Sequence, residues 1–265
     1  MLKKWGWLGL VLILFCEFNF IYKIQPFALW YFPIIWFGYI LFVDSIVFKI
    51  KHKSLITTNI SKLIGMFLIS PLVWWIFEFM NIALKNWQYT GTESLGIYYH
   101  LFATLSFSVV IPAFFETFDL IKAFFKFEEK EPKIKTSRKT AFKLIVLGII
   151  LLILTLTLPY YFFPFAWISI FLIIDPINSL RNQPNLIDKL KNKNYKIFLI
   201  CAIAMLMMGF FWEFWNYWAV IKWVYFIPFF NFWHFFEMPL LGYLGYIPFS
   251  FEIYAIYYFI RGCFR

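Results

Sequence analysis

Hydrophobic positions are grouped along the chain in long runs that short polar loops separate. Eight of these runs have the length of a transmembrane helix, at residues 5–22, 27–48, 63–84, 99–120, 141–158, 159–178, 197–219 and 239–260. A helix rises about 1.5 Å per residue, so a run of about 20 residues crosses the roughly 30 Å hydrocarbon core of a bilayer. We therefore predict an all-α integral membrane protein with about eight transmembrane helices.

The composition excludes a water-soluble domain of this size. Hydrophobic residues make up 63% of the 265 residues and charged residues only 14%, which is more apolar surface than a soluble fold can bury. The three cysteines, Cys16, Cys201 and Cys263, have no paired spacing. We therefore predict neither a disulfide framework nor a cysteine-based metal site.

The basic residues fall mainly on one side of the membrane when the eight runs are placed alternately across it. Of the 24 lysines and arginines, 21 lie on the side that holds both termini, and only Lys23, Lys85 and Lys222 lie on the other. This asymmetry follows the positive-inside rule. We therefore predict a multi-pass protein of the cell (inner) membrane with cytoplasmic termini. The net charge of +10 then indicates contact with anionic lipid headgroups, not with nucleic acid.

The two halves of the chain carry the same rare residues at nearly constant spacing, which indicates an internal repeat. Phe32-Pro33, Trp36 and Asp44 match Phe163-Pro164, Trp167 and Asp175 at an offset of 131; Glu78 and Asn81 match Glu213 and Asn216 at 135; Trp87, Tyr89, Pro112 and Glu116 match Trp223, Tyr225, Pro248 and Glu252 at 136. An even number of spans per copy keeps both copies in one orientation. We predict a four-helix repeat at 1–121, a charged cytoplasmic linker at 122–140 and a second four-helix repeat at 141–265.

Carboxyl groups inside the apolar runs are the first candidates for chemistry. They are Glu17, Asp44, Glu78, Glu116, Asp119, Asp175, Glu213 and Glu252. A carboxylate near the centre of a transmembrane helix costs about 2.5–3.5 kcal/mol, so these groups should face the bundle interior and be paired or protonated. Six of them form matched pairs between the halves. We predict Glu78, Glu116, Glu213 and Glu252 as catalytic acids and bases, with kinks at Pro112 and Pro248, four residues before two of them.

Amides and aromatic rings accompany these carboxyls. Asn81 and Asn216 follow Glu78 and Glu213 by three residues, on the same helix face. The further predicted ligand-binding residues are Asp44, Asp175, Trp212, Trp215, Trp223, His234 and Glu237, the last two as an acid–base or ligand-orienting pair. Aromatic faces stabilise cations, so an acid among them suits the protonation of an alkene or the binding of an isoprenoid, sterol or quinone.

A structural interpretation of the same residues stays open. Buried carboxyl, amide and indole groups often only hydrogen-bond one helix to another, and Asp44 and Asp175 lie near basic loops that could supply salt bridges. Trp and Tyr near the membrane surface, such as Trp87 and Tyr225, also suit an aromatic belt. The chain has no P-loop, histidine cluster, Asp-rich magnesium motif or lipase motif, so we predict no metal and no cofactor.

With its Trp-x-Tyr and Pro-containing acidic motifs in each half, the chain resembles the membrane lycopene β-cyclase family and the related carotenoid hydratases. The matching positions are Trp87-x-Tyr89 with Pro112 and Glu116, and Trp223-x-Tyr225 with Pro248 and Glu252. The family has two adjacent glutamates just after the proline, whereas here one glutamate follows four residues later. The resemblance implies that Glu116 and Glu252 give and take protons, with Glu78 and Glu213 in support.

The leading hypothesis is a membrane protein that binds a long apolar substrate, an isoprenoid or another lipid, and acts on it by metal-free acid–base chemistry. One alternative is a proton-coupled transporter or carrier that uses the same buried carboxylates. A second alternative is a membrane assembly partner without chemistry. The sequence leaves the oligomeric state open, a homo-oligomer included.

Overall fold

A computed structural model describes residues 1–128, 131–229 and 231–264. Glu129, Lys130, Phe230 and Arg265 lie outside the described residues, and with them a short part of the predicted linker and the last residue of the predicted second repeat. The helices are α1 (Lys4–Tyr22), α2 (Tyr31–Lys51), α3 (Leu55–Thr58), α4 (Ile60–Leu84), α5 (Tyr99–Ser108), α6 (Val110–Phe124), α7 (Arg138–Thr157), α8 (Pro159–Phe162), α9 (Ala166–Leu180), α10 (Leu186–Lys191), α11 (Tyr195–Trp218) and α12 (Tyr246–Cys263).

Four short strands lie at one end of the bundle. They are β1 (Trp87–Thr90), β2 (Lys222–Tyr225), β3 (His234–Phe235) and β4 (Met238–Pro239). Strand β1 follows α4 and pairs antiparallel with β2, which follows α11; Trp87 lies opposite Tyr225. Strand β3 pairs with β4 in the same way. We call this end the strand end, and the opposite end, formed by α3, α10 and the loops beside them, the lysine-rich end.

Seven helical segments are long and apolar enough to span a membrane. They are Lys4–Tyr22, Tyr31–Lys51, Ile60–Leu84, Thr92–Phe124, Arg138–Thr157, Pro159–Leu180 and Tyr195–Trp218. Large apolar side chains such as Leu68 on α4 and Ile153 on α7 are exposed on their outer faces, where lipid would cover them. The described residues form an all-α, multi-pass membrane protein, as predicted.

The last predicted span, 239–260, begins with non-helical structure. Strand β4 and a 3₁₀ turn at Leu240–Gly245 come first, and α12 has 18 residues. Its four tyrosines, with Glu252 and Arg261, leave α12 less apolar than the seven segments above. The helix packs on α9 and α11, so protein covers much of its surface, and this explains why it can carry polar residues.

Pro112 and Pro248 each lie near the start of a helix. Helix α5 ends at Ser108 and α6 begins at Val110, while α12 begins at Tyr246. Each proline is therefore the third residue of its helix. The first turn of a helix has N–H groups without intrahelical partners, so proline loses no hydrogen bond there. Near Pro112 the predicted interruption is present as the break at Val109 within the spanning segment Thr92–Phe124, whereas Pro248 follows a 3₁₀ turn and interrupts no α-helix.

Small residues let the outer helices approach their neighbours closely. A Cβ atom on Gly9 of α1 would lie 2.4 Å from the carbonyl oxygen of Gly38 on α2. A Cβ atom on Gly148 of α7 would lie 2.7 Å from the carbonyl oxygen of Ser169 on α9. Close backbone contact of this kind is the usual basis of helix association in lipid. Helix α1 is thereby attached to α2, and helix α7 to α9.

Candidate functional site

An aromatic cavity of about 410 Å³ lies between the helices at the strand end. Residues of α2, α4, α5, α9, α11 and α12 line it together with β1 and β2, and its wall includes Phe32, Trp74, Trp87, Trp167, Trp212 and Trp223. Several rings touch one another; the centroids of Trp74 and Trp212 are 5.2 Å apart. The volume falls within the range of about 300–1,000 Å³ that is typical of small-molecule sites.

Glu78 of α4 is held behind this wall by three hydrogen bonds to one oxygen atom. Its Oε1 accepts from Trp74 Nε1 at 3.0 Å, from Trp87 Nε1 at 3.1 Å and from the Tyr89 hydroxyl at 2.5 Å. All three donors line the cavity. Trp74 lies one turn before Glu78 on the same helix, and β1 supplies the other two. The predicted aromatic belt residues of the first half thus serve as donors to a carboxyl group.

Glu213 of α11 is held behind the wall by two phenols. Its Oε1 accepts from the hydroxyls of Tyr225 and Tyr246, each at 2.6 Å, and Trp223 Nε1 donates to the Tyr225 oxygen at 2.7 Å. Tyr225, Tyr246 and Trp223 line the cavity. Glu213 is fully buried, and its Oε2 has no hydrogen-bond partner among the described residues.

The two tyrosines on the strands, Tyr89 of β1 and Tyr225 of β2, are neutral at ordinary pH. Burial and the adjacent Glu78 raise the pKa of Tyr89 well above its usual value. Burial and Glu213 do the same to the pKa of Tyr225. A phenol that is held neutral keeps its hydrogen and donates it to the carboxyl group behind it. Both tyrosines thus line the cavity and hydrogen-bond the carboxyl group behind it.

Asn81 and Asn216 fix the strands that carry these donors. Asn81 Nδ2 donates to the Trp87 carbonyl at 2.8 Å, and its Oδ1 accepts from Asn86 N at 2.9 Å. Asn216 Nδ2 donates to the Trp223 carbonyl at 2.8 Å, and its Oδ1 accepts from Trp223 N at 2.9 Å. The structure gives both asparagines, predicted as ligand-binding residues, a hydrogen-bonding role in the wall of the site.

Glu116 and Glu252 lie apart from the cavity. Both are fully buried, and none of their four carboxyl oxygens has a hydrogen-bond partner among the described residues. Glu116 interacts electrostatically with Asp44, Asp119 and Lys62. None of the four predicted catalytic glutamates lines the cavity directly. Glu78 and Glu213 lie in the layer behind its wall, whereas Glu116 and Glu252 lie elsewhere in the core.

Asp44 and Asp175 bind backbone N–H groups at the lysine-rich end. Asp44 Oδ2 accepts from Ile56 N at 3.0 Å, and its Oδ1 accepts from Trp5 Nε1 at 2.9 Å. Asp175 Oδ2 accepts from Leu186 N at 2.9 Å and from Ile187 N at 2.8 Å. Each aspartate therefore holds the start of a short helix, α3 or α10, through the donors that a helix start leaves free. These contacts favour the structural interpretation of both residues.

The predicted tryptophans divide between two places. Trp212 and Trp223 line the cavity with ring centroids 5.9 Å apart. Trp215 is buried against Trp36, with centroids 5.0 Å apart, and its Nε1 donates to Glu17 Oε1 at 2.7 Å. Trp215 thus joins α11 to α1, and this bond gives the intramembrane Glu17 a partner.

His234 and Glu237 have separate partners. The Nε2 of His234 lies 3.0 Å from Asn231 Oδ1, and His234 is exposed. Glu237 forms an ion pair with Lys222, a residue of the cavity wall. The structure does not bring the two side chains into the acid–base pair that their spacing predicts.

Tyr246, Trp74 and Gly209 are parts of the site that sequence reasoning missed. A Cβ atom on Gly209 would lie 2.7 Å from the ring of Tyr246, so this glycine leaves space for the ring that reaches Glu213. Gly209 and Trp74 both stand four residues before a glutamate, and Tyr246 and Val110 both precede an Ile-Pro pair. The two halves carry different residues at these matched positions, and this difference is the sequence signal that could have identified the missed residues.

No cluster of three or more metal-binding side chains occurs among the described residues. The chain matches no protein-family model, no curated protein and no solved structure. The resemblance to the lycopene β-cyclase family therefore stays a prediction, and the function must be argued from the site.

Proposed function

We propose that this protein binds a long apolar, lipid-like substrate in the aromatic cavity and acts on it by metal-free acid–base chemistry in the cell membrane. We further propose eight spans in two tandem four-helix repeats, at 1–121 and 141–265, joined by the cytoplasmic linker 122–140. Support for the repeat comes from equivalent contacts: Asp44 and Asp175 bind matched short helices, and Asn81 and Asn216 bind matched strands.

The observation that carries the proposed chemistry is the hydrogen-bonded group of Glu213, Tyr225 and Tyr246. The two phenols line the cavity while the carboxyl group lies behind them at 2.6 Å from each. A phenol can pass a proton to a substrate while it receives another from a protonated carboxyl group. In this proposal Glu213 is the proton reservoir, and Tyr246 and Tyr225 are the groups that touch the substrate.

The remaining parts of the wall suit the same step. Protonation of an alkene leaves a carbocation, which the faces of Trp212 and Trp223 would stabilise electrostatically. The Glu78 group on the first half supplies a carboxyl oxygen behind Tyr89 and would take a proton back from the substrate. Donation at one group and removal at the other rearranges a hydrocarbon skeleton with no net change in its atoms. Before the next turnover, Glu78 releases the proton that it gained and Glu213 takes one up, by exchange with water.

The test is to identify the lipids that the purified protein retains, by organic extraction and mass spectrometry. We expect an apolar lipid enriched over the bulk bilayer lipids, and in the Tyr246→Phe variant the retained molecule should be the unreacted substrate. Tyr195→Phe is the matched control, because Tyr195 is an exposed tyrosine at the start of α11, the helix that carries Glu213. An unchanged product ratio in Tyr246→Phe contradicts a role for Tyr246, and an unchanged ratio in the double variant Tyr225→Phe/Tyr246→Phe contradicts the chemistry. No enriched lipid in the wild type contradicts the binding.

A proton-coupled carrier is the second candidate, and the burial of Glu116 favours it. Glu116 is fully buried, and the carboxyl group of Asp44 lies beside it. Two neighbouring buried carboxyls share a proton more readily than both ionise. In proteoliposomes, a proton flux that needs a cosubstrate and disappears in Glu116→Gln would favour the carrier. Loss of folding alone in that variant would favour a structural role, as in an assembly partner.

A further inference from the structure

We propose that the molecule bound in the cavity is an oxygenated lipid, a long apolar chain that carries a hydroxyl group, and not a pure hydrocarbon. This inference rests on the proposed function in taking the cavity to be a lipid site. Three polar side chains of the cavity wall carry it: Tyr31 of α2, Asn86 just before β1, and Ser106 of α5.

All three residues are more than nine-tenths buried and line the cavity. Their exposed fractions are 1%, 5% and 6%. The Tyr31 hydroxyl, the Asn86 Oδ1 and the Ser106 hydroxyl have no hydrogen-bond partner among the described residues. An unpaired polar atom in a membrane interior is costly, so a group that enters the cavity and pairs with any of them is stabilised.

Several other hydroxyls are satisfied by the backbone of the chain, whereas the buried hydroxyls of Thr136 and Ser169, away from the cavity, also lack a partner among the described residues. Ser108, two residues from Ser106 on α5, donates to the Leu105 carbonyl at 2.6 Å. Thr117 donates to the Ala113 carbonyl at 2.7 Å, and Thr157 to the Ile153 carbonyl at 2.7 Å. This local bond is the common solution for Ser and Thr in membrane helices. Ser106 does not make it, although it lies on a regular helix.

The chemistry of the three atoms defines the group that they would bind. The amide oxygen of Asn86 only accepts a hydrogen bond, whereas the hydroxyls of Tyr31 and Ser106 can donate or accept. A hydroxyl group both donates and accepts, so it suits each of the three positions. An anionic headgroup suits them less well, because Lys222, the one cation among the described lining residues, is already paired with Glu237.

The test compares probes of the same skeleton, phytol, its saturated analogue phytanol and the saturated hydrocarbon phytane, in competition with tritiated phytol for the full-length protein in lipid nanodiscs. Phytol also carries a double bond, so phytanol, which should compete as phytol does, isolates the effect of the hydroxyl group. We expect phytol to compete about tenfold better than phytane, as one or two buried hydrogen bonds would give. Tyr31→Phe and Ser106→Ala should each weaken phytol binding about threefold or more and leave phytane binding unchanged. Ser108→Ala is the matched control, because its hydroxyl is already satisfied by the backbone.

Stability provides a second readout. Without added ligand, Ser106→Ala and Tyr31→Phe should melt at or above the wild-type temperature, because each removes an unpaired polar atom. Equal competition by phytol and phytane, or an equal loss of both in the variants, would overturn this inference and leave the apolar site in place. If tritiated phytol itself does not bind, this inference fails, and the lipids that the purified protein retains decide the proposed function separately.

Discussion

Glu78 and Glu213 occupy matched positions on α4 and α11, yet their surroundings differ in a way that gives them different chemical capacities. Glu78 is half-buried and accepts from two indoles and one phenol. Glu213 is fully buried and accepts from two phenols. An indole N–H only donates, whereas a phenol donates and accepts. The Glu213 group can therefore relay a proton through either of its contacts, and the Glu78 group only through Tyr89.

A pair of compensating differences in sequence produces this contrast. In the first half, Trp74 fills the position one turn before the glutamate and Val110 starts α6. In the second half, Gly209 leaves that position open, and Tyr246 at the start of α12 fills the space with its ring. One half thus takes its donor from the same helix, and the other takes it from a neighbouring helix.

The largest effect is expected when the carboxyl groups themselves are removed. Glu213→Ala leaves the hydroxyls of Tyr225 and Tyr246 buried without their acceptor, which should cost about 3 kcal/mol of stability. Glu78→Ala should cost about 1–2 kcal/mol, because Glu78 is partly exposed and water can replace the lost acceptor. Thermal and denaturant unfolding in detergent would measure both. Equal losses would mean that the difference in burial has no energetic consequence.

The second-largest effect is expected when the compensating residues of the second half are replaced by those of the first half. The losses of stability from the two single substitutions should not add in the double variant. Gly209→Trp alone should destabilise the protein by about 2 kcal/mol, because the indole overlaps the Tyr246 ring. Adding Tyr246→Val removes that ring, so the double variant should recover most of the loss. Residues in contact show this coupling in a double-mutant cycle. Simple addition of the two single losses would contradict the exchange.

The asparagines should behave alike, in contrast to the glutamates. Asn216→Ala removes two hydrogen bonds to Trp223 of β2. Asn81→Ala removes two to Trp87 of β1, one of them long at 3.4 Å, and one to Asn86 just before that strand; the two short bonds in each half have nearly the same lengths. Each variant should lose about 1–2 kcal/mol. Unfolding midpoints measured side by side would check this. A clear difference between the two midpoints would show that the asparagine hydrogen bonds stabilise β1 and β2 unequally.

Sequence reasoning identified the features that are local along the chain. Apolar runs marked the helices, and the spacing of Glu78 to Asn81 and of Glu213 to Asn216 marked the layer behind the cavity. The contacts of Tyr246 with Glu213, and of Trp215 with Glu17, join residues of different helices, and no periodicity fixes how those helices rotate against each other. The unpaired atoms of Tyr31, Asn86 and Ser106 were equally out of reach, because a missing partner is a property of packing.

The smallest expected difference concerns pH at the lysine-rich end, where Asp188 of α10 stands at the position of Thr57 of α3. Burial opposes the charge of Asp188, but hydrogen bonds from Thr136, Asn185 and Ser179 outweigh it and lower its pKa. A lowered pKa gives stability that is complete above the unfolded value of about 3.9 and is lost as pH falls through the folded value.

Asp188→Asn should therefore cost about 1 kcal/mol at neutral pH, and the deficit should shrink as the pH falls below about 4. Thr57→Ala is the control in the other half, because the Thr57 hydroxyl, which accepts from Ser54 N at 2.9 Å, does not titrate in this range. Unfolding measured from neutral to acid pH separates the two variants. A deficit for Asp188→Asn that stays constant with pH would mean that its shape and not its charge holds α10, which would make the two short helices equivalent.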